Sequence, residues 1–438
     1  MHKLKSLFPQ FLKNWYHLSQ AVLANLIYGF PSRKIKVIGV TGTNGKTTTV
    51  QMISHILEES GKKVAMASTI NFKLGEKEWV NATKYTTLSP FAVQKFILQA
   101  VEARCDYLVL ETSSHSLDQS RVWGVDYQTV VITNITREHL DYHKTMEKYR
   151  AAKMKLFQKA KVAVVNLDME RPEDFLEYCA SKIYGYSAKF RISNLEPCLP
   201  AGRFPIKSEC PNSEFEKVFA EEITLGIIES KFKIQNSKFS LNIPGLFNIE
   251  NALAATCVGL AEGISLEAIS KALEKIQGVP GRLENIPNER GLNIMIDYAV
   301  TPDSLEKLYQ LVQGTRKENA KIIAVFGSCG ERDRGKRPLM GEIVSRYADY
   351  IIVTNEDPYH EDPQRIIDEV ASGVKNKIEG ENFWKIMDRR EAIKKALQLV
   401  KPGDVVLVTG KGAEETMAIG DQRIPWNDKK VISELLQE

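Results

Sequence analysis

The sequence predicts an α/β protein: a P-loop central domain with a parallel sheet, followed by a C-terminal Rossmann-like α/β domain. Three observations carry this. The stretch Val37-Ile-Gly-Val-Thr-Gly-Thr-Asn-Gly-Lys-Thr-Thr-Thr49 joins a short apolar strand to a helix through a glycine-rich turn. Short β-branched runs then alternate with helical stretches as far as about residue 165. After Gly278-Val-Pro-Gly-Arg282, the best linker candidate, a second strand–helix series begins. The 438 residues suffice for two or three domains, and the boundaries are expected at 1–34, 35–278 and 279–438.

Composition narrows the class. Hydrophobic content of 43% and charged content of 26% are ordinary for soluble globular proteins, and a net charge of +4 is too small to argue for nucleic acid. The six cysteines (105, 179, 198, 210, 257, 329) form no C-x-x-C pair and read as reduced thiols. No apolar run approaches the roughly 20 residues of a spanning helix. The expectation is a cytoplasmic monomer with no transmembrane segment.

Taken in order, residues 1–36 carry Lys3, Lys5, Lys13, Arg33, Lys34 and Lys36 and no Asp or Glu. Leu4, Leu7, Phe8, Phe11, Leu12, Trp15 and Tyr16 recur at mixed i+3/i+4 spacing, which suggests an amphipathic helix. A membrane-surface role is one reading. A basic helix capping the nucleotide domain is the expectation. Asn25 interrupts the apolar stretch, which argues against a signal peptide. The phosphate cradle follows. Gly42, Thr43, Asn44 and Gly45 let backbone N–H groups converge on an anion, Lys46 supplies a point charge, and the Thr47 or Thr48 hydroxyl can hold Mg²⁺. Strict P-loop spacing asks for glycine at position 40, where this chain has Val40, so the loop is a variant.

Strands are expected at 64–67, 107–111, 129–134 and 162–166, with a helix over 91–104. In such sheets ligands sit at the carboxyl ends of the strands, which is where Glu111 and Asn134 fall. Prolines at 197, 200, 205, 211 and 244 mark residues 185–245 as a β-rich excursion, closed by a helical block from Asn248 to Gln277. Further strands are expected at 293–297, 321–326, 350–354 and 405–409. This half has no second Lys-Thr cradle and is expected to hold a second substrate against the nucleotide.

Seven motifs in order, Thr41-Gly-Thr-Asn-Gly-Lys-Thr-Thr48, Glu111-Thr-Ser-Ser-His115, Thr133-Asn-Ile-Thr-Arg-Glu-His-Leu-Asp-Tyr142, Asn248-Ile-Glu-Asn251, Gly281-Arg282, Asp297-Tyr298 and Gly410-Lys-Gly412, resemble the Mur ligase family. The runs from Arg332 to Met340 and from Asp297 to Pro302 are most similar to its MurE type, which adds the third residue of the peptidoglycan stem peptide. The match covers roughly residues 35–425. The resemblance implies an ATP-dependent, Mg²⁺-requiring amide ligation through an acyl phosphate, joining a free amino acid to a UDP-MurNAc-peptide-type precursor.

Residue by residue, the resemblance implies that Glu111 and His139 help hold Mg²⁺ with Thr47 at the phosphates. Asn251 and Asp297 would contact adenine and ribose, and Arg282 would reach the phosphates. Lys153 matches a lysine that the MurE type carries as a carbamate beside the metal. Thr86, Thr87, Ser113, His115 and Arg121 match positions gripping the precursor. Arg332 would hold the α-carboxylate of the amino acid, with Asp357, Tyr359, Gly410 and Glu414 around its distal end. Enzymes of this type that take diaminopimelate read Asp-Asn-Pro-Arg where this chain reads Glu356-Asp-Pro-Tyr359. With Glu361 and Asp362 nearby, the loop is expected to attract an ammonium, and so to favour lysine or another basic amino acid.

Departures are also present. Val300 and Ala413 stand where the family has histidine. Few residues precede the P-loop, so the uridine-clasping domain is expected to be reduced to segment 1–34. A folylpolyglutamate synthase-like ligase remains an alternative, although it typically reads Gly-Lys-Gly-Ser in place of Gly45-Lys-Thr-Thr48. A non-catalytic nucleotide-binding regulator is the other, against which the joint presence of Lys46, Glu111, His139 and Lys153 counts.

Overall fold

The computed structural model describes residues 10–81, 86–178, 180–189 and 213–438. A nineteen-residue helix, Gln10–Tyr28, leads into strand β1 (Lys36–Thr41). There follow β2 (Val64–Ala67), β3 (Asn71–Leu74), β4 (Lys77–Val80), β5 (Tyr107–Glu111), β6 (Tyr127–Ile132), β7 (Val162–Asn166), β8 (Lys182–Ser187) and β9 (Glu214–Phe219). These pair as one sheet in the order β4-β3-β2-β5-β1-β6-β7-β8-β9. Every pairing from β2 to β9 is parallel, whereas β3 and β4 add an antiparallel hairpin at one edge.

The parallel strands are apolar because both faces are covered. Val37, Leu108, Val130 and Ala163 join one apolar cluster, and Ile38, Val109, Val131 and Val164 join the other. The helix Lys46–Glu59 buries Val50, Met52, Ile53, Ile56 and Leu57 against the helix Leu246–Ala261. The expected helical block is broken there: Gly263 has a φ of +79°, and a second helix, Leu266–Glu274, starts under a Ser265 cap. The β-rich excursion contributes β8, β9 and a three-stranded antiparallel sheet of β10 (Glu221–Leu225), β11 (Ser230–Ile234) and β12 (Ser237–Leu241). Its prolines at 197, 200, 205 and 211 lie outside the described residues.

A second sheet runs β13 (Glu284–Asn285), β14 (Asn293–Asp297), β18 (Val405–Thr409), β15 (Ile322–Phe326), β16 (Tyr350–Thr354) and β17 (Phe383–Ile386) in spatial order, parallel except for β13. A hairpin of β19 (Thr416–Ile419) and β20 (Gln422–Pro425) lies beyond it. The two sheets meet through a seam with two characters. Ile227 and Phe247 pack against the core of the second sheet at its base. Near the nucleotide loop the contacts are polar: Asn44 Nδ2 donates to Asp303 Oδ2 at 3.0 Å, and Lys336 lies 3.6 Å from Glu138. Cys105, Cys257 and Cys329 are free thiols, while Cys179, Cys198 and Cys210 lie outside the described residues. No helix among the described residues is long and apolar enough to cross a membrane.

Candidate active site

The strand order turns at β1, between β5 and β6, and this opens a crevice at their carboxyl ends. The loop from Gly42 to Gly45 occupies it. Gly45 has a φ of +82°, and a Cβ there would lie 2.2 Å from Asn251 Oδ1, so the position requires glycine for both conformation and space. The carbonyl of Asn134 accepts the Thr43 N–H and its side-chain oxygen accepts the Asn44 N–H, each at 2.9 Å. Thr48 is buried in the first turn of the helix. Lys46 curls over the loop and donates to the Thr43 carbonyl at 2.8 Å. Burial holds its pKa below the ordinary lysine range, with Glu111 pulling the other way.

Glu111 closes the first shell of hydrogen bonds around the cradle. It accepts from Thr47 Oγ1 at 3.0 Å, from the Thr69 backbone at 2.8 Å and from Thr69 Oγ1 at 3.0 Å. The residues expected to grip the precursor form a connected wall beside it. Thr69 Oγ1 lies 3.2 Å from Thr86, Thr87 Oγ1 donates to the Glu111 carbonyl at 3.1 Å, and Ser113 N donates to Thr87 Oγ1 at 3.0 Å. Arg121 donates to the Thr87 carbonyl at 2.8 Å. Thr69 was not singled out from the sequence. Its signal is a hydroxyl two residues after β2 at the sheet's ligand edge.

His115 and His139 meet edge to face with ring centroids 4.6 Å apart, and His143 lies 5.4 Å from His115. Burial pushes His115 down to about 3 and His143 down to about 4, and places His139 well below its usual value. All three are therefore neutral imidazoles near pH 7, able to accept a hydrogen bond or ligate through one nitrogen. His139 sits at a φ of +57°, directly before the short helix Leu140–His143.

Lys153 is the most unusual side chain of the site. It is fully buried, its Nζ donates to the Gly42 carbonyl at 2.7 Å, and it lies 4.5 Å from the Tyr149 ring centroid. Burial, aided by Lys46, drives its pKa well below the lysine range. Burial thus favours the neutral form of an amine pinned to the loop.

From the second sheet, Arg282 reaches across the seam to 3.5 Å from Thr47 Oγ1 while its guanidinium stacks 4.5 Å over Tyr298. Asp297, half-buried, accepts from the Leu283 backbone at 2.8 Å and so braces the turn that carries Arg282. Asn251 stands behind the loop, where Thr49 Oγ1 donates to it at 3.2 Å. A cleft of about 430 Å³, lined in part by Asn134, Asn166, Asp168, Glu250 and Lys307, opens beside the loop.

The acids of the loop after β16 have partners within the protein. Lys411, buried and unremarked in the sequence beyond its place between Gly410 and Gly412, donates to both oxygens of Asp357 at 2.9 Å and to Glu414. Glu361 accepts from Arg337 at 3.0 Å and Arg334 at 2.8 Å, and Asp362 caps the helix Pro363–Ala371. Glu356 packs against Gly410, and burial pushes its carboxyl up to about 7. Part of the negative charge expected to draw an ammonium is thus taken up by protein cations, with Asp357 and Glu414 sharing one lysine. Tyr359 instead has two guanidiniums over its ring, Arg423 at 5.1 Å and Arg332 at 5.9 Å.

Mg²⁺ favours hard oxygen ligands, keeps several waters and leans on substrate phosphates, so one carboxylate and one hydroxyl are a fitting protein share. Glu111 and Thr47 supply that pair at the cradle. Among the described residues, no three His, Cys, Asp or Glu side chains converge as a ready cage.

A phosphate cradle with an acid and a buried lysine on one sheet edge, met by an arginine from a second α/β unit, defines a two-domain nucleotide-dependent group-transfer enzyme. Residues 40–259 match the Mur ligase middle domain, and residues 281–412 match the Mur ligase, glutamate ligase domain. The chain belongs to the Mur ligase family. It is 39% identical over 426 residues to the UDP-N-acetylmuramoyl-L-alanyl-D-glutamate--2,6-diaminopimelate ligase of Syntrophomonas wolfei, covering 95% of this chain and 81% of that one. It is 38% identical to the UDP-N-acetylmuramyl-tripeptide synthetase of a Roseiflexus species, covering 93% and 80%. A solved UDP-N-acetylmuramoyl-L-alanyl-D-glutamate--2,6-diaminopimelate ligase superposes with a TM-score of 0.60 at 30% identity, over 92% of this chain and 78% of that one. Folylpolyglutamate synthase of Mycobacterium tuberculosis superposes at 0.68 with 16% identity, over 90% and 91%, a likeness of fold alone.

Proposed function

We propose that this chain is an ATP-dependent amide ligase that lengthens the peptide of a UDP-MurNAc-peptide by one amino acid, as the names of its relatives describe for them. The observation that carries the reading is the convergence of Lys46, Glu111 and Lys153 on one glycine loop, with Arg282 arriving from the opposite domain.

The precursor carboxylate attacks the γ-phosphate, ADP leaves, and the amine of the amino acid then attacks the acyl phosphate and expels phosphate. The first step brings two anions together, so it needs fixed cations, and Lys46 and Arg282 face each other at that point. The nucleoside occupies the cleft beside Asn134. Glu111 and Thr47 would hold Mg²⁺, which when bound would offset phosphate charge. Carbamylated on Nζ, Lys153 would place an anion near Lys46. The hydroxyl wall of Thr86, Thr87 and Ser113, with His115 and Arg121, orients the precursor. With Arg332 on the α-carboxylate, the Arg423 guanidinium over Tyr359 favours an amino acid with a second carboxylate, in line with the diaminopimelate ligases among the relatives.

Amino-acid-dependent phosphate release from ATP and UDP-MurNAc-dipeptide tests the reading. Lys46→Ala is expected to lower turnover on the order of a hundredfold or more. Full activity in that variant, or release without the precursor, refutes the proposal. Comparing kcat/KM for diaminopimelate and lysine decides the amino acid.

A further inference from the structure

The N-terminal helix Gln10–Tyr28 is amphipathic in an inverted sense. The side it turns inward is small or polar: Ala21, Ala24 and Asn25 are fully buried, and Asn25 donates to the carbonyls of Ala21 and Trp123. The side it turns outward is large and apolar. Leu12, Trp15, Tyr16, Leu23, Leu26 and Ile27 are all exposed, Trp15 at 69%, Leu26 at 64% and Ile27 at 61%. These positions follow the i, i+3, i+4 rule along four turns and form one stripe. Ser19, the only polar residue within it, is satisfied by its own helix, donating to the Tyr16 carbonyl at 2.9 Å. Trp123, which Asn25 holds beside the helix, is exposed as well.

Burial against the described residues does not explain such a stripe, because the packed side of the helix is the opposite one. Its chemistry selects the occupant. Its free hydrogen-bonding groups are two, the Tyr16 hydroxyl and the Trp15 indole N–H, so a partner rich in matched polar contacts gains little from it. Trp and Tyr on an apolar stripe are the side chains that settle at the boundary between lipid headgroups and acyl chains. The flanks are cationic: Lys13 borders the stripe, Arg33 and Lys34 follow the helix exposed, and Lys3 and Lys5 precede it in sequence. The first acidic residue of the chain is Glu58. We propose that this helix lies flat on an anionic lipid surface, apolar stripe inserted and lysines against the headgroups, so that the enzyme works as a peripheral membrane protein. This rests on the helix alone and stands or falls apart from the ligase reading.

The test is co-sedimentation of the full chain with vesicles rich in phosphatidylglycerol, alongside neutral phosphatidylcholine vesicles, with intrinsic tryptophan emission recorded. Expected are binding to the anionic vesicles with a blue shift, binding to the neutral ones about tenfold weaker, and loss of both signals in the Trp15→Gln, Leu23→Gln, Leu26→Gln triple variant. That variant alters only exposed side chains, so its melting temperature and ATP affinity are expected to match the parent and to certify its fold. No binding to anionic vesicles, or equal binding by the triple variant, overturns the proposal. So does a dimer in light scattering that the triple variant abolishes, which would assign the stripe to a second copy of this chain.

Discussion

The least ordinary residue is Lys153. A lysine buried almost completely, bonded to a carbonyl, set over an aromatic ring and repelled by a second lysine has its neutral amine favoured over the charged one. That is the state in which it condenses with CO₂. If Lys153 is carbamylated as proposed, the expected outcome for Lys153→Ala is near-complete loss of ligation, partly restored by formate or acetate, whose oxygens would replace those of the carbamate. An inactive variant that no small carboxylate restores would make Lys153 a brace for the Gly42 carbonyl. The lysine's motif was legible in the sequence, but its burial was not, because Ala151-Ala-Lys-Met-Lys reads as an exposed helix turn until the helix Met146–Met154 packs onto the loop. The acids at 356–362 show the same gap in the other direction. Sequence displays their charge and hides Lys411, Arg337 and Arg334, which take up part of it.

At the scale of elements, strands were the legible part. Val64–Ala67, Tyr107–Glu111, Val162–Asn166, Asn293–Asp297, Tyr350–Thr354 and Val405–Thr409 lie where apolar runs place them, since strands buried on both faces tolerate little else. The hairpin of β3 and β4 was missed because an exposed edge carries no such run: all of Lys77–Val80 is exposed. Loop geometry is similarly demanding. Gly45→Ala forces a side chain into a left-handed φ and against Asn251, and is expected to abolish ATP binding. Gly61→Ala, with similar φ but nothing within 4 Å, is expected to cost only about 1 kcal/mol of stability. A denaturation curve with an ATP titration for each variant separates these. The loop after β16 supplies a pH test. Glu361 is held down at about 2, where burial opposes but Arg337 and the Glu331 N–H prevail. A depressed carboxylate stabilises above its unfolded pKa near 4.5 and loses that contribution as the pH falls toward 2. Glu361→Gln is therefore expected to lower stability by about 1 kcal/mol at pH 7, a modest figure because solvent screens the group, with the gap closing on acidification.

The whole molecule is two α/β units joined by an apolar base and a polar mouth. Ile227 and Phe247 anchor the base, while Asn44–Asp303, Glu138–Lys336 and Thr47–Arg282 line the mouth. Polar contacts exchange readily with water, so the mouth separates at small cost while the base stays packed. Arg282 gives that asymmetry a direction. It approaches the cradle closely enough to depress Lys46 further, which means that the two cations repel one another across the gap. A triphosphate laid between them would exchange that repulsion for attraction to both cations, a latch across the mouth. Ions in solution weaken such a latch by screening, so KM for ATP is expected to climb with ionic strength, and Arg282→Met to flatten that climb.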